Sequence, residues 1–295
     1  MSVPRYRGEE VEVTTSDGVK LAGNWHAPRA KAHGALLLLP AVAAPSRTLA
    51  LLANALSELG IGVLRGDYRY TGESKPTASR AHDASMADVA DKDVPALLAA
   101  LKSRAEGLPM ACAGHSLGGK MSALMLGQYP SDVRAAILIT VSKVDETLWQ
   151  GWRRQPVALA FRLYPWMARV WGALPAAPVG MGVPTPRTLM NEWGAWGTSG
   201  KYTTRDGAWE ERLGNVRGPV LSIGATDDVL YAPDVAMQGF LSMMPLAHSS
   251  RWMLTPQETG ARRLGHFGLL RPPAVKVLAH RMAGWLMEVF QAPRR

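Results

Sequence analysis

One cysteine in 295 residues, Cys112, excludes an internal disulfide framework, so the fold must rest on its own core. Long hydrophobic runs are missing as well. The longest, Ala35 to Ala44, is about half of what a membrane span requires and is broken by Pro40. Met1 to Glu10 is polar and charged, without the apolar run of a signal peptide, and a cytoplasmic location is expected. No His, Cys and Asp cluster has metal-ligand spacing, so neither a metal nor a cofactor is expected. Lys and Arg outnumber Asp and Glu by 33 to 24, a net charge of +9, but they are scattered and form no basic stripe interleaved with aromatics. Nucleic acid is therefore not an expected partner. What the chain has is 47% hydrophobic residues with 19% charged, enough to bury a large globular core.

Short apolar runs alternate with helical patterns through both ends of the chain, the rhythm of a mostly parallel sheet with helices on its faces. Val11–Thr15 and Val19–Ala27 flank the turn signal Ser16-Asp17-Gly18 and predict an antiparallel hairpin. Buried strands are predicted at Ala35–Leu39, Gly62–Arg65, Met110–Ala113, Ala135–Val141, Val220–Ile223 and Ser250–Leu254. Helices are predicted from about Arg47 to Leu59, Asp83 to Glu106, Leu117 to Gln128 and Ala274 to Phe290. Pro95 either kinks the second of these or starts a new segment.

The stretch from Ser142 to Gly214 breaks the rhythm. It holds seven of the ten tryptophans, is rich in Pro and Gly, and its helices look short. The reading is an α/β core made of residues 1–141 and 215–295, carrying a Trp-rich helical cap at 142–214.

Gly114-His115-Ser116-Leu117-Gly118 falls between the strand Met110–Ala113 and the helix that begins at Leu117. A serine on so sharp a strand-to-helix turn is strained, and small neighbours relieve the crowding around it. Its hydroxyl then projects over the sheet, where the Leu117 N–H and the helix dipole meet a developing oxyanion. The bland alternative is a glycine-rich turn without chemistry. A sharper rival is the phosphate loop G-x-x-x-x-G-K, which Gly114 to Lys120 fits. That loop requires Ser or Thr next, and the chain has Met121. Gly60-Ile61-Gly62 precedes its strand, and Gly66 falls one place late for a dinucleotide fingerprint.

A serine needs a base, and in this chain order the acid and then the histidine follow the nucleophile. Of seven histidines, only His266, in Leu264-Gly265-His266-Phe267-Gly268, sits in a glycine-flanked loop after the last strand and before the last helix. The acid is expected after Val220–Ile223, at Asp227 in Gly224-Ala-Thr-Asp227-Asp228, three residues beyond the glycine, with Asp228 as the alternate. The second oxyanion donor should come from the loop after Ala35–Leu39. Val42 is preferred and Ala41 is the alternate, because proline has no N–H to give.

Ser116, Asp227 and His266 in this order resemble the α/β-hydrolase superfamily. Asp67-Tyr-Arg-Tyr-Thr-Gly72-Glu-Ser74, Asp227-Asp228, Gly265-His266-Phe267-Gly268 and, in the cap, Val183-Pro-Thr-Pro and Glu192-Trp193-Gly-Ala-Trp196 are similar to bacterial predicted α/β hydrolases near the serine aminopeptidase and lysophospholipase branch. Two positions depart from that pattern: Pro40-Ala41 stands where many members have His-Gly, and Tyr70 where Gly is usual. The resemblance implies cofactor-free hydrolysis of an ester, thioester or amide.

The expected function is a serine hydrolase cleaving a small-molecule carboxylic ester or thioester through an acyl-enzyme on Ser116. Alternatives are an amide or peptide hydrolase, an acyltransferase, or a binding protein that kept the fold. Trp149, Trp193, Trp196 and Phe267 are the candidate substrate contacts, with the cap tryptophans, Phe161, Leu163 and Met167 lining an apolar acyl pocket or merely forming the core of the cap.

Overall fold

The computed structural model describes residues 8–176 and 182–293. Residues 1–7 and five positions of the expected cap lie outside it. Eight strands form one sheet: β1 (Glu9–Thr14), β2 (Lys20–His26), β3 (Gly34–Leu39), β4 (Ile61–Gly66), β5 (Met110–His115), β6 (Val133–Ile139), β7 (Gly218–Ala225) and β8 (Ala247–Leu254). Their order is β1-β2-β4-β3-β5-β6-β7-β8. β2 runs antiparallel to both its neighbours, as the turn signal predicts, and β3 to β8 are parallel.

Leucines at 36 to 39 show how the layers form. All four are fully buried, and alternate side chains point to opposite faces. Leu36 and Leu38 join a cluster with Leu52 and Leu56 of α1 (Ala50–Glu58) and with Leu278 and Met282 of the final helix Ala274–Gln291. Leu37 and Leu39 pack instead with Leu97 and Leu101 of the helix Val94–Ala105 and with Met121 and Met125 of the helix Leu117–Gln128. A sheet covered on both faces accounts for strands that read as continuous apolar runs.

The helix predicted over Asp83–Glu106 is three pieces. Ser85 and Asp88 form a reciprocal cap at Met86–Asp88, a π turn spans Val89–Asp93, and the α-helix runs from Val94 to Ala105. Pro95 lacks an N–H and its ring crowds the carbonyl one turn back, so the regular ladder cannot pass through it. Asp83 lies outside the helix and accepts from the Thr188 N–H and from Arg187.

Between β6 and β7 the chain leaves the sheet. It forms the helices Arg154–Trp171, Arg187–Ser199 and Trp209–Gly214, with short 3-10 turns before them. The first has 18 residues, longer than Pro165 and the surrounding composition suggest. The proline ring is buried against Gly194 of the second helix.

Candidate active site

Strand order places the site. The chain passes from β3 to β4 on one side and returns to β5 on the other, so a crevice opens beyond the carboxyl ends of β3 and β5, where open α/β sheets bind ligands. Register aligns these ends: Leu39 faces Gly114, His115 faces Ile139, and Ala225 faces Leu254. One more backbone bond beyond each strand extends the ladder, Ser116 N–H to the Ile139 carbonyl (2.9 Å), Thr140 N–H to Ile223 (2.7 Å) and Thr226 N–H to Leu254 (3.0 Å).

Ser116 occupies the turn with φ +52° and ψ −112°, a backbone that L residues rarely adopt. Packing holds it there. A Cβ at Gly114 would stand 2.1 Å from the Gly118 carbonyl carbon, and one at Gly118 would stand 2.1 Å from the Leu39 carbonyl oxygen. The two glycines of the pentapeptide therefore let the helix N-terminus close onto the ends of β5 and β3. That approach brings Leu117, the first residue of the helix, toward the loop of Ala41 and Val42. The loop is held by the Tyr68 hydroxyl, which donates to the Pro40 carbonyl at 3.0 Å. Val42 is half-buried, and Ala43 beside it has φ +58°.

The carboxylate on the histidine is Asp228, not Asp227. His266 Nδ1 donates to Asp228 Oδ2 at 2.7 Å, with only 8% and 2% of the two side chains exposed. Tyr231 N–H donates to the other oxygen of Asp228 at 3.1 Å. Asp227 is turned to the backbone of the histidine loop, accepting from Leu264 N–H (2.9 Å) and Gly265 N–H (2.8 Å). Adjacent carboxylates on one turn face different ways, and counting from Gly224 does not tell which faces the ring. One aspartate orients the imidazole and the other fixes the loop that carries it.

His115 is a residue that motif reading passes over. It is buried and donates from Nε2 to the His266 carbonyl at 2.8 Å, and its ring lies 4.6 Å from that of His266. Burial, followed by the neighbouring His266, holds it well below the usual histidine pKa, so it remains a neutral donor. The elbow and the histidine loop are thus joined one residue from Ser116. Its position inside the pentapeptide was the available signal. Other histidines are occupied elsewhere: His26 pairs with Asn54 and Arg65, and His280 with the Lys276 carbonyl of its own helix.

Lys120 lies four residues past the serine and is 3% exposed. Its ammonium donates to the Ser142 carbonyl and stands 4.6 Å from the Phe240 ring centre. Burial pulls its pKa down to about 7. The Ser142 hydroxyl in turn donates to the Tyr231 carbonyl at 2.9 Å, so the elbow helix is tied to the loop of Asp228.

The inserted segment touches both sides of the crevice. Gly182 and Val183 N–H groups donate to the Ala43 carbonyl, and the Trp149 indole donates to the Leu230 carbonyl at 2.8 Å. Trp193 packs on Phe161 and Tyr164, and Phe267 on His115 and His266. Trp196 does not face the crevice. It is fully buried, its indole bonded to the Thr203 carbonyl and its ring stacked on Tyr202 at 4.5 Å with Trp209 alongside. Trp152, Leu163, Trp166 and Trp171 are exposed, so a pocket lined by all the cap aromatics is not what forms. Among the described residues no three His, Cys, Asp or Glu side chains stand close enough to share a metal ion. No described helix is long and apolar enough to cross a membrane.

A strained serine at a strand-to-helix turn, a histidine loop bonded to that turn, and an eight-stranded, mostly parallel sheet define an α/β hydrolase. The chain belongs to the family described as serine aminopeptidase, S33, whose model matches residues 30–182. No curated protein matches it. Among solved structures it is similar to a soluble variant of monoglyceride lipase from Saccharomyces cerevisiae in complex with a substrate analogue, at 18% identity and TM-score 0.68, covering 99% of this chain and 97% of that one. It is also similar to Est1E from Butyrivibrio proteoclasticus with bound ferulic acid, at 15% identity and TM-score 0.64, covering 96% and 100%. An esterase of Pyrococcus furiosus matches at 16% identity and TM-score 0.59, covering 96% and 90%.

Proposed function

We propose that this protein is a serine esterase acting through an acyl-enzyme on Ser116. Ser116 Oγ attacks the carbonyl carbon of a carboxylic ester while His266 Nε2 takes its proton, and Asp228 holds the imidazole by Nδ1 and stabilises the imidazolium. Leu117 and Val42 N–H groups receive the oxyanion, with Ala41 as the alternate donor. His266 then returns the proton to the leaving alcohol and activates water for deacylation. The single observation that carries the reading is the His266–Asp228 pair at 2.7 Å on a loop bonded directly to the serine elbow.

The segment 142–214 acts as the cap, and its contribution to the substrate site is narrower than its tryptophan content suggests. Tyr231, whose ring lies 5.0 Å from that of His266, Phe267 and, further out, Tyr164, Trp193 and Trp149 offer an aromatic wall. Est1E and the yeast lipase bind a ferulic acid and a substrate analogue on the same fold, which favours esters here.

A peptidase would need a carboxylate to hold a free amino terminus. Glu146 is engaged by Arg154 and Arg162, and Glu192 by the N–H groups of Met86 and Arg205. Turnover of p-nitrophenyl esters from acetate to decanoate, against an aminoacyl nitroanilide, tests the reading. Ester hydrolysis lost in Ser116→Ala is expected, and amide turnover exceeding ester turnover would contradict it.

A further inference from the structure

The helix Arg154–Trp171 has two faces. Phe161, Pro165 and Ala168, one turn apart, are buried toward the helix Arg187–Ser199, where a Cβ at Gly197 would stand 2.2 Å from the Phe161 ring. On the opposite face Leu159 (60% exposed), Leu163 (38%), Trp166 (54%) and Val170 (43%) recur at helical spacing, and Trp152 (70%) extends the row from the preceding turn. More than half of the large hydrophobic side chains exposed among the described residues fall between 152 and 171. A contiguous apolar stripe of this kind marks an interaction surface.

Charge says what covers it. From Thr147 to Asn191 the sequence contains no aspartate or glutamate, while Arg153, Arg154, Arg162, Arg169 and Arg187 lie in that stretch. The first four are exposed; Arg154 and Arg162 are engaged by Glu146, while Arg153 and Arg169 form no ion pair among the described residues, and the Arg153 guanidinium lies 5.6 Å from the Trp152 ring centre. Two copies meeting symmetrically through this face would set Arg153 and Arg169 against their own kind, since Glu146 is already engaged by Arg154 and Arg162. Tryptophan and leucine rimmed by arginine suit the headgroup level of an anionic bilayer, where indoles sit at the interface and cations meet phosphates. The row also leads to the crevice: the Trp149 indole bonded to the Leu230 carbonyl sets its first turn beside Val229 and Tyr231, both exposed, near His266.

We propose that the outer face of this helix docks flat on an anionic lipid surface, inserting Trp152, Leu159, Leu163, Trp166 and Val170, with Arg153 and Arg169 on the phosphates. The docking does not depend on the chemistry assigned to Ser116. It is tested by co-sedimentation of the Ser116→Ala protein with phosphatidylcholine vesicles, with and without phosphatidylglycerol. Binding should require phosphatidylglycerol and weaken in about 0.5 M salt.

Trp152→Ser with Trp166→Ser should weaken it at least about tenfold, and Arg153→Glu with Arg169→Glu by about fivefold or more per arginine. In the Ser116 background, either pair should leave turnover of a soluble acetate ester and the melting temperature unchanged. Equal binding by all variants, or no binding to phosphatidylglycerol vesicles by the folded protein, overturns the proposal. A dimer in solution that the tryptophan substitutions dissolve, without vesicle binding, assigns the face to a second copy and overturns it equally.

Discussion

Along the carboxyl edge of the sheet, backbone sets position: Ser116, Thr140 and Thr226 are each held by a bond to the neighbouring strand's last residues, and the glycines at 114 and 118 by close approach. Across the inserted segment, side chains join backbone bonds such as those from Gly182 and Val183 to the Ala43 carbonyl in setting it. The Trp149 indole reaches the Leu230 carbonyl, Glu192 accepts the Met86 N–H, and Trp196 stacks on Tyr202 with Trp209 packed at an angle beside it. Backbone-held positions follow from strand ends and tight turns, which leave marks in sequence. Side-chain ties depend on where loops fold back, which leaves few.

The contrast can be broken most severely at the elbow. Ser116→Ala should lower ester kcat/KM by at least about 10⁴-fold with the fold retained, as read by steady-state kinetics and circular dichroism. The two aspartates sharpen it next. Asp228→Asn should cost about 10³- to 10⁴-fold, because the imidazole loses its charged partner. Asp227→Asn should cost about tenfold or less, because the amide oxygen keeps one of the two bonds from the loop 264–265 and the imidazole keeps its charged partner. Equal losses in the two variants would show that the pairing, not the loop, is misassigned.

In the inserted segment the largest effect expected is on stability. Trp196→Ala should lower it by about 3–5 kcal/mol in urea denaturation, while Trp166→Ser, on the exposed face, should change it by about 0.5 kcal/mol or less. The smallest effect is a slope. Lys120 has a folded pKa of about 7 against an ordinary 10.5, so the unfolded chain binds more protons between those values. Its contribution to stability therefore rises with pH from about 7 to 10.5 and is least below pH 7. Lys120→Met should flatten that rise when unfolding is compared at pH 7.5 and 9.5.

Most of the sheet was legible because its strands are short apolar runs between turn residues. The hairpin turn at 16–18 and the six parallel strands fall where those runs predict, within a residue or a few at each end. Ser116 and His266 were legible for a related reason: a serine between glycines after a strand and a histidine between glycines after the last strand have few structural alternatives. The choice between Asp227 and Asp228 was not, since both lie on one turn and only the path of residues 264–266 decides which meets the ring. His115 was hidden inside the motif that names its neighbour. Pro95 gave two readings, and the π turn before it combines both.

The tryptophans divide. Sequence leaves them open between pocket lining and cap core; Trp196 and Trp209 are packed together in the interior, while Trp152, Trp166 and Trp171 face outward. Aromatic content carries no direction until the helix faces are known. Leu163 and Phe161 look alike in sequence, yet they differ by the half turn that separates exposed from buried.

Intact-mass analysis after treatment with a fluorophosphonate, followed by peptide mapping, tests the central claim most directly. One adduct on Ser116 is predicted, absent in Ser116→Ala and formed far more slowly in Asp228→Asn than in Asp227→Asn. An adduct on another residue, or an esterase whose activity survives without any adduct on Ser116, would contradict it.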